Sequence, residues 1–189
     1  MIDSDDPNKM RTRAVPEVIH KTYVNTGKYP VSEKNKEDIQ NHFLHAHYIT
    51  DPLTKVPERF ISSESPKEVV IPNFLRLIFF KKIALVVMIC QMHELDTTEV
   101  TRHSKCSRYF PSTMGESLTF GDYIIKNVNL SEDNGYSVKR TFKISLSEAA
   151  RKHSPRNFEH FFHHLHIYKW QDMTAPDLAS VETAFLEVD

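Results

Sequence analysis

The feature that most constrains the fold is an unbroken apolar run from Ile83 to Cys90. Lys81 and Lys82 precede it, and Gln91 and His93 follow it. A run of this length is far too short to cross a bilayer as a helix, which needs about 20 residues. It suits a strand, and its lack of polar alternation predicts burial on both faces of a sheet.

The segments around this run indicate a mixed sheet with helices. From Pro72 to Lys82, apolar residues at helical spacing predict a helix whose first turn holds Pro72. The last stretch predicts another helix, with Leu178, Val181, Phe185 and Val188 on one stripe and Asp177 as its cap. Further strands are predicted where aliphatic and aromatic residues cluster, at His42–Ile49, Arg59–Ser62, Ser117–Phe120, Tyr123–Leu130, Tyr136–Leu146 and Phe158–Trp170. Asp133-Asn134-Gly135 predicts a turn before the strand that begins at Tyr136. The sequence therefore predicts a single α/β (α+β) domain.

Charge and cysteine content exclude several classes of function. The 24 basic and 25 acidic residues are well mixed and give a net charge of -1, which offers no electrostatic footprint for nucleic acid or an anionic membrane. Two cysteines are too few for a disulfide framework, and the N-terminus is acidic and polar, unlike a secretory signal. We therefore expect a cytoplasmic protein with no membrane or nucleic-acid partner.

Eight short strings give the chain a family likeness. Lys105-Cys106-Ser107-Arg108-Tyr109-Phe110-Pro111 resembles Lys-Cys-x-x-Tyr-Trp-Pro of the classical protein tyrosine phosphatase domain, and Trp170-Gln171-Asp172 resembles its Trp-Pro-Asp loop. The other six strings follow the family's order, at Met10–Pro16, His45–Ile49, Phe60–Pro66, Asn73–Phe79, Val86–Ile89 and Phe120–Asp122. The resemblance implies a twisted mixed β-sheet flanked by helices, with residues 1–10 as an irregular N-terminal segment and 11–189 as a partial phosphatase-like domain.

The family's reaction is the hydrolysis of phosphotyrosine in proteins, and it depends on a His-Cys-x5-Arg loop. There, a cysteine thiolate attacks phosphorus, backbone N–H groups and an arginine bind the phosphoryl oxygens, and an aspartate protonates the leaving phenol. Six positions beyond Cys90 stands Asp96, six beyond Cys106 stands Ser112, and neither cysteine follows a histidine. The pattern predicts a C-terminally incomplete and catalytically inactive domain, a pseudophosphatase-type interaction module.

Three positions carry the family's site roles in altered form. Asp172 matches the general acid and is expected to be vestigial, because an acid without a nucleophile does no chemistry by itself. Thr12 replaces the aromatic residue that flanks the substrate ring, and Glu64 replaces a glutamine, so that a carboxylate would repel a phosphate dianion. No metal and no cofactor are expected. The partners are expected to be proteins, including a second copy bound through an exposed sheet edge.

Two alternatives stay open. The chain could be a fragment of an active protein tyrosine phosphatase whose catalytic loop lies beyond Asp189. It could instead be a histidine-dependent metal-binding domain, since His160, His164 and His166 would share one face of a strand, with His163 on the other. The absence of a cysteine pair or a carboxylate at ligand spacing favours a strand merely enriched in histidine. Cys106, between Lys105 and Arg108, is interpreted as a structural cysteine at a strand edge.

Overall fold

The computed structural model describes residues 44–95, 102–104, 106–129, 131–151, 159–170, 174, 175, 178 and 182, with the backbone alone at 93–95 and 102–104. The chain divides into two compact units, Met1–Leu77 and Ile78–Asp189. Strands and helices combine in an α/β arrangement built on a mixed sheet, in agreement with the fold class predicted from the sequence.

The first unit contains a small antiparallel pair of strands. β1 (Ala46–Ile49) pairs with β2 (Phe60–Ser63), with Ala46 opposite Ser63 and Ile49 opposite Phe60. Both strands lie within or beside the predicted segments. Between them, Asp51 Oδ1 accepts hydrogen bonds from the N–H groups of Leu53 and Thr54 and so forms the turn.

The predicted helix begins one residue earlier than Pro72 and ends one residue earlier than Lys82. A 3₁₀ turn, Glu68–Val70, leads into helix α1 (Ile71–Lys81), which crosses from the first unit into the second. Phe74, Leu75, Ile78 and Phe79 are buried, as their spacing predicted. The helix ends where Lys82 takes a left-handed conformation (φ 53°) and Ile83 donates its N–H to Ile78 O at 3.1 Å.

A six-stranded mixed sheet forms the second unit. Its strands are β3 (Leu85–Ile89), β6 (Ser117–Phe120), β7 (Tyr123–Asn127), β8 (Glu132–Asp133), β9 (Ser137–Leu146) and β10 (Glu159–Ile167). The central path of the sheet runs β3-β10-β9-β7-β6, with β8 paired to β9 beside that path. Among the described strands, β3 and β10 form the one parallel pair. The described part of this unit also contains a separate antiparallel pair, β4 (His93–Leu95) and β5 (Arg102–Ser104), and a short helix α2 (Glu148–Arg151).

The predicted turn between β8 and β9 is confirmed, and its side chains show why it forms. Asp133 Oδ1 accepts the N–H of Gly135 at 2.8 Å, and Asn134 Oδ1 accepts the N–H groups of Tyr136 and Ser137. Gly135 has φ +83°, a value that costs L-residues energy and glycine little.

Residue alternation along β9 and β10 builds two apolar clusters on opposite faces of the sheet. One face buries large side chains that share the even-numbered positions of these strands: Val138, Phe142, Ile144, Leu146 and Phe162. On the other face Leu165 and Ile167 pack with Leu85, Val87, Tyr136 and Trp170. The alternation assigns each strand residue to one of these two layers.

Two predictions from the sequence differ from the structure. β3 forms as predicted but borders a single neighbouring strand among the described residues. Met88 is its one buried residue and Ile89 is 48% exposed, so the predicted burial on both faces is wrong. Leu178 and Glu182 are helical, with Leu178 exposed, while the rest of the predicted final helix lies outside the described residues. Within the part of the chain that the structure describes, no helix is long and apolar enough to cross a membrane.

Candidate functional site

Glu64 is the one predicted site residue whose surroundings the structure describes. It follows β2, its N–H donates to His45 O at 3.0 Å, and its Oε2 lies 3.1 Å from His45 Nδ1. Both side chains are largely buried, with relative exposures of 14% for Glu64 and 19% for His45. The carboxylate therefore closes the β1–β2 pair by bonding to a neighbouring strand end. Thr12 and Asp172 lie outside the described residues, so their roles stay predictions.

Trp170 brackets the segment that contains Asp172. Its indole Nε1 donates to Thr174 O at 3.0 Å, and its ring packs against the cluster of Leu165 and Ile167. Trp170 thus connects the end of β10 to Thr174, on the other side of residues 171–173. The bond fixes how far Trp170 and Thr174 can separate.

The string Cys106–Pro111 is a structural link. Cys106 is 1% exposed, and its Sγ donates to Ser107 O at 3.2 Å. Arg108 Nη2 lies 2.7 Å from Glu116 Oε1, whose other oxygen accepts the N–H groups of Ser112 and Thr113. The bond from Thr113 is the main reason that the pKa of Glu116 is lowered, and Arg108 lowers it further. These contacts hold the turn that leads into β6.

Tyr109 and Phe110 carry this string into the buried face of the sheet. Tyr109 Oη lies 2.7 Å from His164 Nε2 and 3.8 Å from Met88 Sδ. The Phe110 ring lies 4.7 Å from the His164 ring, centroid to centroid. If His164 Nε2 carries the proton, it donates to Tyr109 Oη and the tyrosine hydroxyl can donate to Met88; this tautomer makes use of both contacts.

Electrostatics keep this cluster uncharged at His164. Burial lowers the pKa of His164 well below its usual range, and His166 and Arg140 lower it further. Burial likewise raises the pKa of Tyr109 well above its usual range. The Arg140 guanidinium lies 5.5 Å over the Phe110 ring, and its Nε and Nη1 are buried without a hydrogen-bond partner among the described residues. A neutral imidazole, a neutral phenol and one cation therefore share the site.

The histidines of β10 each serve a different partner. His164 and His166 are buried and His163 is exposed, which confirms the predicted facing of these three residues. His160 Nε2 lies 2.8 Å from Ile83 O, and His166 Nε2 lies 2.8 Å from Cys90 O. His163 Nδ1 lies 3.2 Å from Thr141 Oγ1. Three of the four rings thus direct Nε2 to a protein oxygen. The part of the chain that the structure describes contains no group of three side chains placed to hold a metal ion.

The predictions from the sequence did not include Arg140. The signal was available in the alternation of β9, which places Arg140 on the same face as the buried Val138 and Phe142. A cation at an inward position of an otherwise apolar strand marks a polar cluster. The Tyr109 hydroxyl and the His164 imidazole are in contact, but both side chains are buried away from solvent, so this cluster organises the sheet.

Comparison with known proteins identifies the kind of fold that carries this site. A family model described as protein-tyrosine phosphatase matches residues 7–188. Tyrosine-protein phosphatase 69D of Drosophila melanogaster is 25% identical over 125 residues, which cover 65% of this chain and 8% of that protein. Receptor-type tyrosine-protein phosphatase C of Homo sapiens is 23% identical over 140 residues, 74% of this chain and 10% of that protein.

A solved structure shares the fold. The catalytic domain of human protein tyrosine phosphatase non-receptor type 18 superposes with a TM-score of 0.61 at 18% identity, over 77% of this chain and 46% of that one. The chain therefore spans less than half of that catalytic domain and about a tenth or less of the curated relatives it matches.

Proposed function

The chain belongs to the protein-tyrosine phosphatase family, and we propose that its 189 residues form a protein-binding module with no phosphatase activity of their own. The observation that carries the proposal is the setting of the two cysteines. The family's reaction needs a thiolate that reaches the substrate and an arginine six positions later. Neither cysteine of this chain meets both conditions.

Cys106 is shielded as well as wrongly spaced. Its side chain is almost fully buried, its Sγ is bonded to Ser107 O, and Ser112 stands where the arginine is needed. Cys90 follows the end of β3, and Asp96 stands six positions beyond it. An aspartate at that position brings negative charge where a phosphoryl group needs a cation.

The substrate-binding positions support the same proposal. Glu64 presents a carboxylate where the family uses a neutral amide, and like charge disfavours a phosphate dianion. Thr12 provides no aromatic face for the phenol ring. Asp172 keeps the acid of the family pattern, yet general-acid catalysis needs a bound leaving group. The binding function thus falls to surfaces other than the family's phosphate pocket.

We expect protein partners and a cytoplasmic location. Basic and acidic residues are mixed along the sequence, which gives no electrostatic footprint for nucleic acid or an anionic membrane. Two cysteines, with no disulfide between them, suit a reducing compartment.

The test is a phosphatase assay on the purified 189-residue chain. With para-nitrophenyl phosphate and with a phosphotyrosine peptide, we expect no release of phosphate above the blank. The matched control is the double variant Cys90→Ser, Cys106→Ser, which should give the same rate as the unaltered chain. Turnover that the double variant loses would contradict the proposal, because it would make one of the two thiols the nucleophile.

The second candidate function is phosphotyrosine hydrolysis by a longer protein that contains these residues. It is favoured by the family match together with the fraction of the relatives that the chain spans. The intact mass of the endogenous protein decides between the two candidates. A mass equal to that of the 189 residues favours the binding module, and a larger mass whose added sequence holds His-Cys-x5-Arg favours the phosphatase.

A further inference from the structure

β3 offers an open line of backbone hydrogen-bonding groups. His163 donates its N–H to Ala84 O at 2.8 Å, and Leu85 is the register partner of His163. In a parallel pair, a residue points both of its backbone groups to the same side, and successive residues alternate. Ala84, Val86 and Met88 therefore face β10. The backbone groups of Leu85, Val87 and Ile89 face away from it, towards an edge that no described strand occupies.

This edge lacks the features that keep strand edges apart. Proteins protect such edges with charges, proline or bulges, and β3 contains only Leu85-Val86-Val87-Met88-Ile89. The opposite edge of the sheet is different, because β6 exposes the polar residues Ser117 and Thr119 and is followed by Gly121. The two edges of one sheet thus differ in their readiness to pair.

We propose that β3 pairs antiparallel with β3 of a second copy of this chain, about a two-fold axis at Val87. In that register Val87 lies opposite itself and Leu85 lies opposite Ile89 of the second copy. Each of these pairs exchanges both of its backbone hydrogen bonds, because the residues that face outward are the ones brought together. The pairing fills the open edge and closes it, since each copy has used its free side.

The sequence around the axis is compatible with itself. In the same register Ala84 lies opposite Cys90, and Lys82 lies opposite Met92, so neither pair places like charges together. Leu85 and Val87 already pack with Leu165 and Ile167, and Ile89 lies on the same face with its side chain half exposed. Pairing covers Ile89 with Leu85 of the second copy. It also joins the cluster of Leu165 and Ile167 in one copy to the same cluster in the other.

This inference deepens the proposed binding function by naming a second copy as the partner, and it rests on that function only in this respect. The two fail separately. A monomeric chain without phosphatase activity would overturn the pairing alone, whereas an active dimer would overturn the binding-module proposal alone.

The first test measures association of the full chain by sedimentation equilibrium. We expect a reversible dimer whose dissociation constant rises about tenfold or more in the Ile89→Lys variant, because a lysine at a strand edge opposes pairing. The matched control is Thr119→Lys on the other edge, which should leave the constant unchanged. A monomer at all concentrations, an open-ended polymer, or a dimer that ignores Ile89→Lys would each overturn the proposal. A monomer is also the result expected if another segment of the same molecule fills the edge.

The second test fixes the register. Ala84 and Cys90 form a pair without mutual hydrogen bonds in the proposed dimer, so their Cα atoms should lie about 4.5 Å apart, a separation that a disulfide spans. The Ala84→Cys variant should therefore cross-link to Cys90 of the second copy under mild oxidation, and mass spectrometry should identify that linkage. Adding Cys90→Ser should abolish it. A different linkage, or no cross-link from a folded Ala84→Cys variant, would refute this register.

Discussion

The stability of this protein should fall as the pH drops from 7.5 to 5.5, with His164 as a principal cause. His164 is fully buried between Tyr109 and Phe110, and the Arg140 cation lies near it. Its pKa is lowered in the folded state, while the unfolded chain titrates near 6.5. Below pH 6.5 the unfolded state therefore binds a proton that the folded state refuses. The free energy of unfolding must decrease as the pH falls through this window.

The size of the effect follows from proton linkage. If a histidine with an unfolded-state pKa near 6.5 stays neutral in the folded state, the free energy of unfolding falls by about 1.4 kcal/mol between pH 7.5 and 5.5. His166, whose pKa burial also lowers, adds up to the same amount. Among the described residues, the carboxylates with lowered pKa values, Asp51, Glu116 and Asp133, titrate below this window and do not obscure it.

The assay is urea unfolding at pH 5.5, 6.5 and 7.5, followed by the fluorescence of Trp170, the only tryptophan. His164→Gln should flatten the pH dependence by about 1.4 kcal/mol across the window. The control is Phe161→Leu, since Phe161 is exposed on the same strand and carries no titratable group, so this variant should leave the slope unchanged. Equal slopes in the unaltered chain and His164→Gln would refute the reasoning. Should that variant not fold, an NMR titration of the unaltered chain decides, because a His164 ring that protonates at pH 6.5 contradicts it equally.

Three further predictions concern substitutions of single residues. Tyr109→Phe should lower the free energy of unfolding by about 1–3 kcal/mol, because it removes the hydroxyl that contacts a buried imidazole. Tyr136→Phe should be neutral or stabilising, because the buried Tyr136 hydroxyl has no hydrogen-bond partner in the described segments. Phe142→Ala should cost about 3–5 kcal/mol in urea unfolding, against about 0.5 kcal/mol or less for Phe161→Ala, since the first ring is fully buried and the second is 55% exposed. Gly135→Ala should lower the free energy of unfolding by about 1–2 kcal/mol because residue 135 has a positive φ, and Gly135→Asn should lower it less. Thermal melts of the two variants test this, and equal losses of stability would contradict it.

The strands and the helix could be predicted because each leaves a local trace in the sequence. The apolar spacing in α1 and the Asp-Asn-Gly turn before β9 each depend on neighbours along the chain, and the structure has both. The position of β3 within the sheet was harder to predict. An unbroken apolar run indicates burial but does not say how many neighbours a strand has, so Ile89 was expected inside and is half exposed.

The buried polar cluster could not be predicted for a similar reason. Tyr109 and His164 are 55 residues apart, and nothing near either one signals the other. The family resemblance marked the string that contains Tyr109 as a motif, and Cys106 within it was interpreted as structural, but neither pointed to His164 as a partner. The structure shows the string as a link between a loop and β10, with Cys106 buried inside it. Motif residues can thus persist for packing when the catalytic pattern around them is altered.

The histidines of β10 also explain how β3 can present an ordered edge. A carbonyl oxygen only accepts hydrogen bonds, so His160 must donate from Nε2 to Ile83 O, and His166 must donate from Nε2 to Cys90 O. These two bonds lie just beyond the two ends of β3 and add to the parallel ladder between them. They fasten the strand from the β10 side alone and leave the backbone groups of Leu85, Val87 and Ile89 facing outward. A strand ordered in this way loses little further conformational freedom when another strand pairs with it. The enrichment of β10 in histidine, which suggested a metal site in the sequence, therefore has a structural reason in the fastening of its neighbour.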